Sequence, residues 1–153
     1  HLTYRVYLED SFLVGDNELT GTIPRQMFLM IDLSFLSLAG NAIRGSIPDL
    51  VASAKDLEVV MLQRNRLEGT IPSAFGNLHK LQELELESNK LVGNVPSQIG
   101  RIKTLKNMRV YENSLTGSMP AEVCALVNDE VLNYLAADCT KGDITCECCQ
   151  KCF

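Results

Sequence analysis

Apolar residues recur along this chain with a period of 24 positions, which is far longer than the repeat of a single helix or strand. Four units open with leucine-like residues in the order LxxLxL, and an earlier, poorer copy has Glu9 in the first of these positions. Later in each unit, one apolar residue lies on each side of a glycine, two positions away from it. The alternating residues at the end of LxxLxL predict a short strand with one buried face. Because these strands return at a fixed interval, we expect them to pair in parallel and in register.

Three residue types keep the same phase through five units. The asparagine amide is suited to hydrogen-bond backbone groups that are left unpaired where a strand ends. Glycine permits a tight bend, and proline fixes φ at the start of an irregular or 3₁₀-like return segment. One coil cannot bury its apolar residues alone, so we predict a stack with a continuous core and assign these positions to structure rather than to function. They are Asn17, Asn41, Asn65, Asn89 and Asn113; Gly21, Gly45, Gly69, Gly93 and Gly117; and Pro24, Pro48, Pro72, Pro96 and Pro120.

The pattern LxxLxLxxNxLxGxIP resembles the plant-type 24-residue class of the leucine-rich repeat family, over about residues 9–126. The resemblance implies an α/β repeat fold, a right-handed curved solenoid. Its concave side would carry a short parallel β-sheet, a second short strand would lie near LxGxI, and the convex side would be 3₁₀ or irregular. Family members bind proteins, peptides or hormones, and their repeats are not catalytic. The solenoid at 1–126 divides into a partial coil at 1–8 and repeats at 9–32, 33–56, 57–80, 81–104 and 105–126.

The last 30 residues contain all six cysteines, and they depart from the repeat. We predict a C-terminal cap over residues 121–153, with a helix over Ala121–Ala136 lying across the last coil. Disulfides are expected in so small a cap, with the pairing open except that Cys148 and Cys149 should not bond to each other. A zinc site is the main alternative for these closely spaced thiols. The cysteines are Cys124, Cys139, Cys146, Cys148, Cys149 and Cys152.

The cysteine tail also bears on where the protein acts. Its ending CxCCxxCF resembles the tails of secreted leucine-rich repeat proteins of diatom-type algae. Disulfides indicate an oxidising compartment, which we predict to be extracellular or, alternatively, an organelle lumen. Because the chain begins with His1 rather than Met, we expect it to be a processed or partial product.

Charge and motifs narrow the function further. The net charge of −5 argues against nucleic acid or an anionic membrane as the main partner, and no apolar run approaches the length of a transmembrane segment. No catalytic motif is present, so we predict a protein that is not an enzyme and has neither a cofactor nor a metal. The acidic residues Glu83, Glu85 and Glu87 are interpreted as one solvated strand face rather than a catalytic carboxylate pair.

The outward strand positions form columns across the predicted sheet, and these columns give a candidate binding face for a protein or peptide. Its first half is apolar and its second half is polar. The apolar half comprises Leu13, Phe35, Val59 and Met61, and the polar half comprises Arg64, Glu83, Glu85, Glu87, Arg109 and Tyr111.

Two alternatives to this function remain open. An apolar docking patch near the N-terminus would suit a structural or accessory subunit of a larger assembly or filament, or self-association at that end. It comprises Tyr4, Tyr7, Phe28, Leu29 and Ile31, although an irregular first coil could equally bury them. The remote alternative is an ice-binding or glycan-binding surface, which the pairs Thr20/Thr22 and Thr116/Ser118 suggest but Arg44, Glu68 and Val92 interrupt.

Overall fold

A computed structural model describes residues 10–30, 32–140 and 143–153. Seven short strands form one parallel sheet, in which their order is their order along the chain. The first five strands align residues 24 positions apart, so that Leu36, Val60 and Leu84 lie side by side. The predicted parallel, in-register pairing is therefore confirmed. The strands are β1 (Ser11–Leu13), β3 (Phe35–Ser37), β5 (Val59–Met61), β7 (Glu83–Glu85), β9 (Asn107–Arg109), β12 (Tyr134–Ala137) and β14 (Lys151–Cys152).

A second set of short strands follows the bend in the coils, as the family resemblance implies. They form three small parallel sheets: β2 (Thr20–Thr22), β4 (Ala42–Gly45) and β6 (Arg66–Leu67); β8 (Val92–Gly93) and β10 (Ser114–Leu115); β11 (Gly117–Ser118) and β13 (Ile144–Thr145). The return segments contain 3₁₀ turns, each directly after a periodic proline that fixes φ near its preferred value. These turns are Arg25–Leu29, Asp49–Ser53, Ser73–Asn77 and Ser97–Arg101.

The asparagines form the predicted ladder. The side-chain nitrogen of Asn65 donates to the carbonyl oxygens of Leu38 and Leu62 at 2.8 and 3.2 Å. Its side-chain oxygen accepts the backbone N–H of Ile43 at 3.1 Å. Each amide therefore satisfies backbone groups of its own coil and of the preceding coil, which fixes both the corner and the stacking. The same arrangement recurs at Asn41, Asn89 and Asn113.

The convex side is packed closely where glycine follows the 3₁₀ proline by four residues. A Cβ atom on Gly76 would lie 2.4 Å from the carbonyl oxygen of Gln98, in the next coil. A Cβ atom on Gly100 would lie 2.5 Å from backbone atoms of Glu122. Successive return segments therefore approach each other more closely than a side chain at either glycine would permit.

The first coil corrects one part of the docking-patch prediction. Phe28 is 1% exposed and belongs to the core, whereas Leu29 is 58% exposed. In the other coils the large buried side chain of the turn is the third after proline, as at Phe75, but here it is the fourth. A large ring inserted at this end fills the core and cannot contribute to an exposed patch. Tyr4, Tyr7 and Ile31 lie outside the described residues.

The predicted cap helix is too long. Helix α1 covers only Ala121–Asn128, and the chain turns at Glu130, where φ is 58°. Beyond the turn, the chain adds β12 to the main sheet, with Leu135 paired to Met108. The spacing LxxL suits one stripe of a helix as well as the opening of a repeat, so the apolar pattern alone could not separate the two. The spacing of Leu132, Leu135 and Ala137 matches LxxLxL, with alanine in the last position, and this match is the sequence signal for a further strand.

Three disulfides close the cap, as predicted, and they settle the pairing that the sequence left open. Cys124 bonds Cys148, Cys139 bonds Cys152, and Cys146 bonds Cys149. The neighbours Cys148 and Cys149 are thus not joined to each other. All six sulfurs are engaged in these bonds, so the thiolates on which the zinc alternative relied are not available as ligands.

Candidate functional site: the concave face

We use "concave face" for the face of the seven-stranded sheet that points away from the core. Strand alternation puts the predicted apolar half there, on β1, β3 and β5. Leu13 is 39% exposed, and Phe35, Val59 and Met61 are half-buried. These side chains lie in two columns across the sheet: Phe35 pairs with Val59 in one, and Ser37 separates Leu13 from Met61 in the other. The result is an apolar strip that a partner could cover.

The polar half contains two buried carboxylates. Glu85 and Glu87 are only 5% and 6% exposed, so the interpretation of this strand as a solvated face is wrong for both. Parallel strands lie about 4.8 Å apart, which brings the long side chains of neighbouring coils over each carboxylate. Glu83, at the other end of the strand, is half-buried, and Arg64 is exposed.

Glu85 is well paired. Arg109 places Nη1 2.9 Å from Glu85 Oε1, and the Gln63 amide donates to Glu85 Oε2 at 2.8 Å. Burial nevertheless raises the pKa of Glu85, with the Arg109 charge acting in the opposite direction. Glu85 and Arg109 are partners in the register of β7 and β9, which explains their contact.

Glu87 is incompletely paired. Its Oε1 lies 4.0 Å from Arg109 Nη1, and its buried Oε2 has no hydrogen-bond partner among the described residues. Gln63 Oε1 and Asn107 Oδ1 are buried and lack a partner in the same sense. Burial raises the pKa of Glu87, chiefly opposed by a hydrogen bond from its own backbone. A buried acceptor without a donor is unfavourable by about 1–3 kcal/mol, so this arrangement calls for an explanation.

An aromatic pair borders the polar half. The ring of Tyr111 stacks on that of Phe153, with centroids 3.9 Å apart and planes 16° apart. The Arg109 guanidinium lies 5.4 Å from the ring centroid of Tyr134. Desolvation raises the pKa of Tyr111, and the Glu87 charge adds to that increase. Tyr134, on β12, and Phe153, directly after β14, were missed from the sequence because this part of the chain leaves the 24-residue phase.

Two further properties concern the chemistry available to the protein. Over residues 10–30, 32–140 and 143–153, no group of three or more His, Cys, Asp or Glu side chains is placed to hold a metal ion. Within the same ranges, no helix has the length and apolar character needed to cross a bilayer.

Comparison with known proteins decides the family. A leucine-rich repeat family model matches residues 55–115. A chain in the crystal structure of the BIR3–SERK2 complex from Arabidopsis thaliana is 32% identical, with a TM-score of 0.71. The match covers 87% of the present chain and 71% of that one. The chain belongs to the leucine-rich repeat family.

Other leucine-rich repeat neighbours differ in length and in what they bind. The structure of PEPR1–AtPEP1 matches at 36% identity and a TM-score of 0.76, over 80% of this chain and 17% of that chain. A plant ice-binding protein matches at 25% identity and a TM-score of 0.74, over 84% of this chain and 40% of that chain. The present chain spans only 17–20% of the length of the first three receptor chains it matches. No curated protein matches the sequence.

Proposed function

We propose that this leucine-rich repeat chain is a non-catalytic module that binds a protein or an extended peptide on its concave face. The observation that carries the proposal is a sheet face with a partly exposed apolar strip beside a buried, incompletely paired charge cluster. Similarity to a plant peptide hormone receptor, RGFR1, solved in complex with RGF2 supports a peptide or protein as the partner. The three disulfides support an oxidising compartment, extracellular or lumenal. The resemblance of the tail to secreted algal proteins remains a prediction.

Selection from a displayed library of random peptides tests this function and does not require an identified partner. Peptides are selected on the immobilised protein and then measured against a variant carrying Leu13→Glu and Met61→Glu. The matched control carries Leu29→Glu and Val92→Glu, since these exposed apolar residues are 58% and 43% exposed and lie off the seven-stranded sheet. We expect the concave variant to lose the selected peptides and the control to keep them. Loss in the control alone would place the binding surface elsewhere.

Docking into a larger assembly is the second candidate, and it retains one supporting observation. Leu29 and Met30 are adjacent, and they are 58% and 37% exposed, which is unusual for large apolar residues. Solution mass measured across a range of concentrations tests it. Self-association that Leu29→Glu abolishes would support docking at this end, whereas a monomer at every concentration would exclude filament formation.

The ice-binding alternative gains a structural neighbour but lacks a continuous surface. Thr20 and Thr22 are exposed on β2, but Arg44 and Arg66 are exposed on the neighbouring strands β4 and β6. Charged side chains break up the flat hydroxyl array that the alternative requires. We therefore expect no thermal hysteresis in a solution of this protein.

A further inference from the structure

We infer that Glu87 and Gln63 form a recognition site for one arginine side chain of an extended peptide lying across the concave face. This inference rests on the proposed function and specifies the chemistry of one contact. It accounts for acceptor oxygens that the protein itself leaves without donors.

The two residues occupy the same column on neighbouring coils. β5 and β7 pair in register. The backbone N–H of Arg64 donates to the carbonyl oxygen of Glu87 at 3.0 Å, so the same register extends beyond the ends of both strands. Gln63 and Glu87 therefore stand side by side, about 4.8 Å apart along the direction of stacking. Each contributes one buried oxygen without a partner among the described residues, Gln63 Oε1 and Glu87 Oε2. Glu87 is itself 94% buried, since its exposed fraction is 6%.

The charges of Arg109 and Arg64 both lower the pKa of Glu87, but each guanidinium makes its closest contact with another carboxylate. Arg109 is 2.9 Å from Glu85 but 4.0 Å from Glu87. Arg64 donates to Asp16 at 2.9 Å, two coils away. Glu85 and Glu87 thus share one guanidinium, which is close to Glu85 only, and Glu87 lacks a donor-rich positive group in direct contact with it. An incoming cation would supply the missing charge and the missing hydrogen bonds together.

The geometry favours a guanidinium over an ammonium. A guanidinium presents five N–H donors in one plane, so it can bond a carboxylate and still donate to an amide oxygen beside it. The next residue in the column is Tyr111, whose ring is already stacked on Phe153 and provides a flat aromatic surface. Arginine stacks on such surfaces, whereas lysine offers a strongly hydrated point charge. The site should therefore distinguish arginine from lysine and from neutral citrulline.

The experiment uses peptides selected on the full chain from the displayed library. Each selected peptide is resynthesised with arginine replaced by lysine or by citrulline, and the dissociation constants are measured by calorimetry. We expect arginine to be enriched among the selected sequences, and each replacement to weaken binding by about 10-fold or more, as for a charged hydrogen bond. We expect Glu87→Gln to weaken the arginine peptide by a similar factor and to remove its advantage over the lysine peptide.

The matched control is Glu68→Gln, which removes the same charge from an exposed side chain off the concave face. We expect it to leave both affinity and arginine preference unchanged. Peptides that bind without arginine preference, or a preference that survives Glu87→Gln, would overturn this inference and leave the proposed function intact. Selection of no peptide at all would overturn both.

Discussion

The regular coils at 33–104 and the cap at 121–153 are both held against neighbouring segments, but different interactions hold them. Each regular coil has a neighbour on both sides, and its corner is held by an asparagine that bonds two coils at once. The cap lacks an asparagine of that phase. Asp138 instead accepts the backbone N–H groups of Glu112 and Asn113, at 2.9 and 3.1 Å, and three disulfides hold the remaining chain.

The difference shows what a repeat needs at its end. A coil inside the stack is stabilised by burial against two neighbours, so a few periodic residues are enough to specify its fold. The last segments bury less of their surface against other coils, and here covalent links replace the missing neighbour. The concave sheet nevertheless continues without interruption from β9 through β12 to β14. Four variants probe this contrast, from the largest expected effect on stability to the smallest.

Removing the disulfide that ties α1 to the tail should have the largest effect. Cys124 and Cys148 are 24 residues apart, so their bond restricts a long loop in the unfolded chain. The double variant Cys124→Ala/Cys148→Ala should lose about 3–4 kcal/mol of unfolding free energy, measured in urea. The control Cys146→Ala/Cys149→Ala opens a loop with a separation of only 3 and should lose about 2 kcal/mol. A larger loss in the control would contradict the role assigned to the long loop.

Breaking the ladder in mid-stack should come next. Asn65→Ala removes three donated hydrogen bonds and one accepted bond, leaving backbone groups of two coils unsatisfied. We expect a loss of about 2–3 kcal/mol in unfolding free energy. Asn17 makes two such donations, to Val14 and Gly15, so Asn17→Ala should lose about 1 kcal/mol. Equal losses would show that the number of hydrogen bonds made by the amide does not set its contribution to stability.

The junction of the last regular coil with the cap is tested by Gly100→Ala. The new methyl group would lie 2.5 Å from the Glu122 backbone, so α1 must move outward. We expect a loss of about 2 kcal/mol together with faster amide exchange in α1. Ala52 holds the equivalent slot two coils earlier, and Ala52→Gly should lose less than about 1 kcal/mol. Unchanged stability in Gly100→Ala would mean that the cap adapts freely to the coil beneath it.

The smallest effect should be a gain in stability. The pKa of Glu87 is raised, so the folded state holds its proton more tightly than the unfolded state does. The wild-type protein therefore loses stability as pH rises through that raised pKa, and Glu87→Gln should be about 1 kcal/mol more stable at neutral pH. The gain should vanish below the ordinary value of about 4.5.

Thermal unfolding at neutral and acidic pH, with Glu68→Gln as the exposed control, measures this difference. About 1 kcal/mol corresponds to roughly 2–4 °C in Tm for a chain of this size. A loss of stability in Glu87→Gln at neutral pH would contradict the conclusion that the carboxylate is incompletely paired. A gain would indicate that Glu87 does not stabilise the fold, which is the result expected for a residue whose role is to contact a ligand.

Much of the architecture could be predicted from the sequence because the repeat is local and regular. The inward position of Leu84, the corner role of Asn65 and the turn after Pro72 all follow from one 24-residue period. The same period assigned Glu85 and Glu87 to the outward face of their strand. It could not show that both carboxylates are buried there, because that depends on which side chains lie alongside them.

The candidate site therefore owes most of its residues to the sequence, whereas Tyr134, Phe153 and the chemistry of the site became visible only in the tertiary structure. Periodicity along the chain alone determined which way each residue faces relative to its own backbone, and the cluster of cysteines indicated disulfides. Only the packing of distant segments decided that Tyr134–Ala137 joins the sheet, how the cysteines pair, and that Phe28 enters the core. The physical reason is that facing is a local property of backbone geometry. Access to water, and with it charge and hydrogen bonding, is set by neighbours that are remote in the chain.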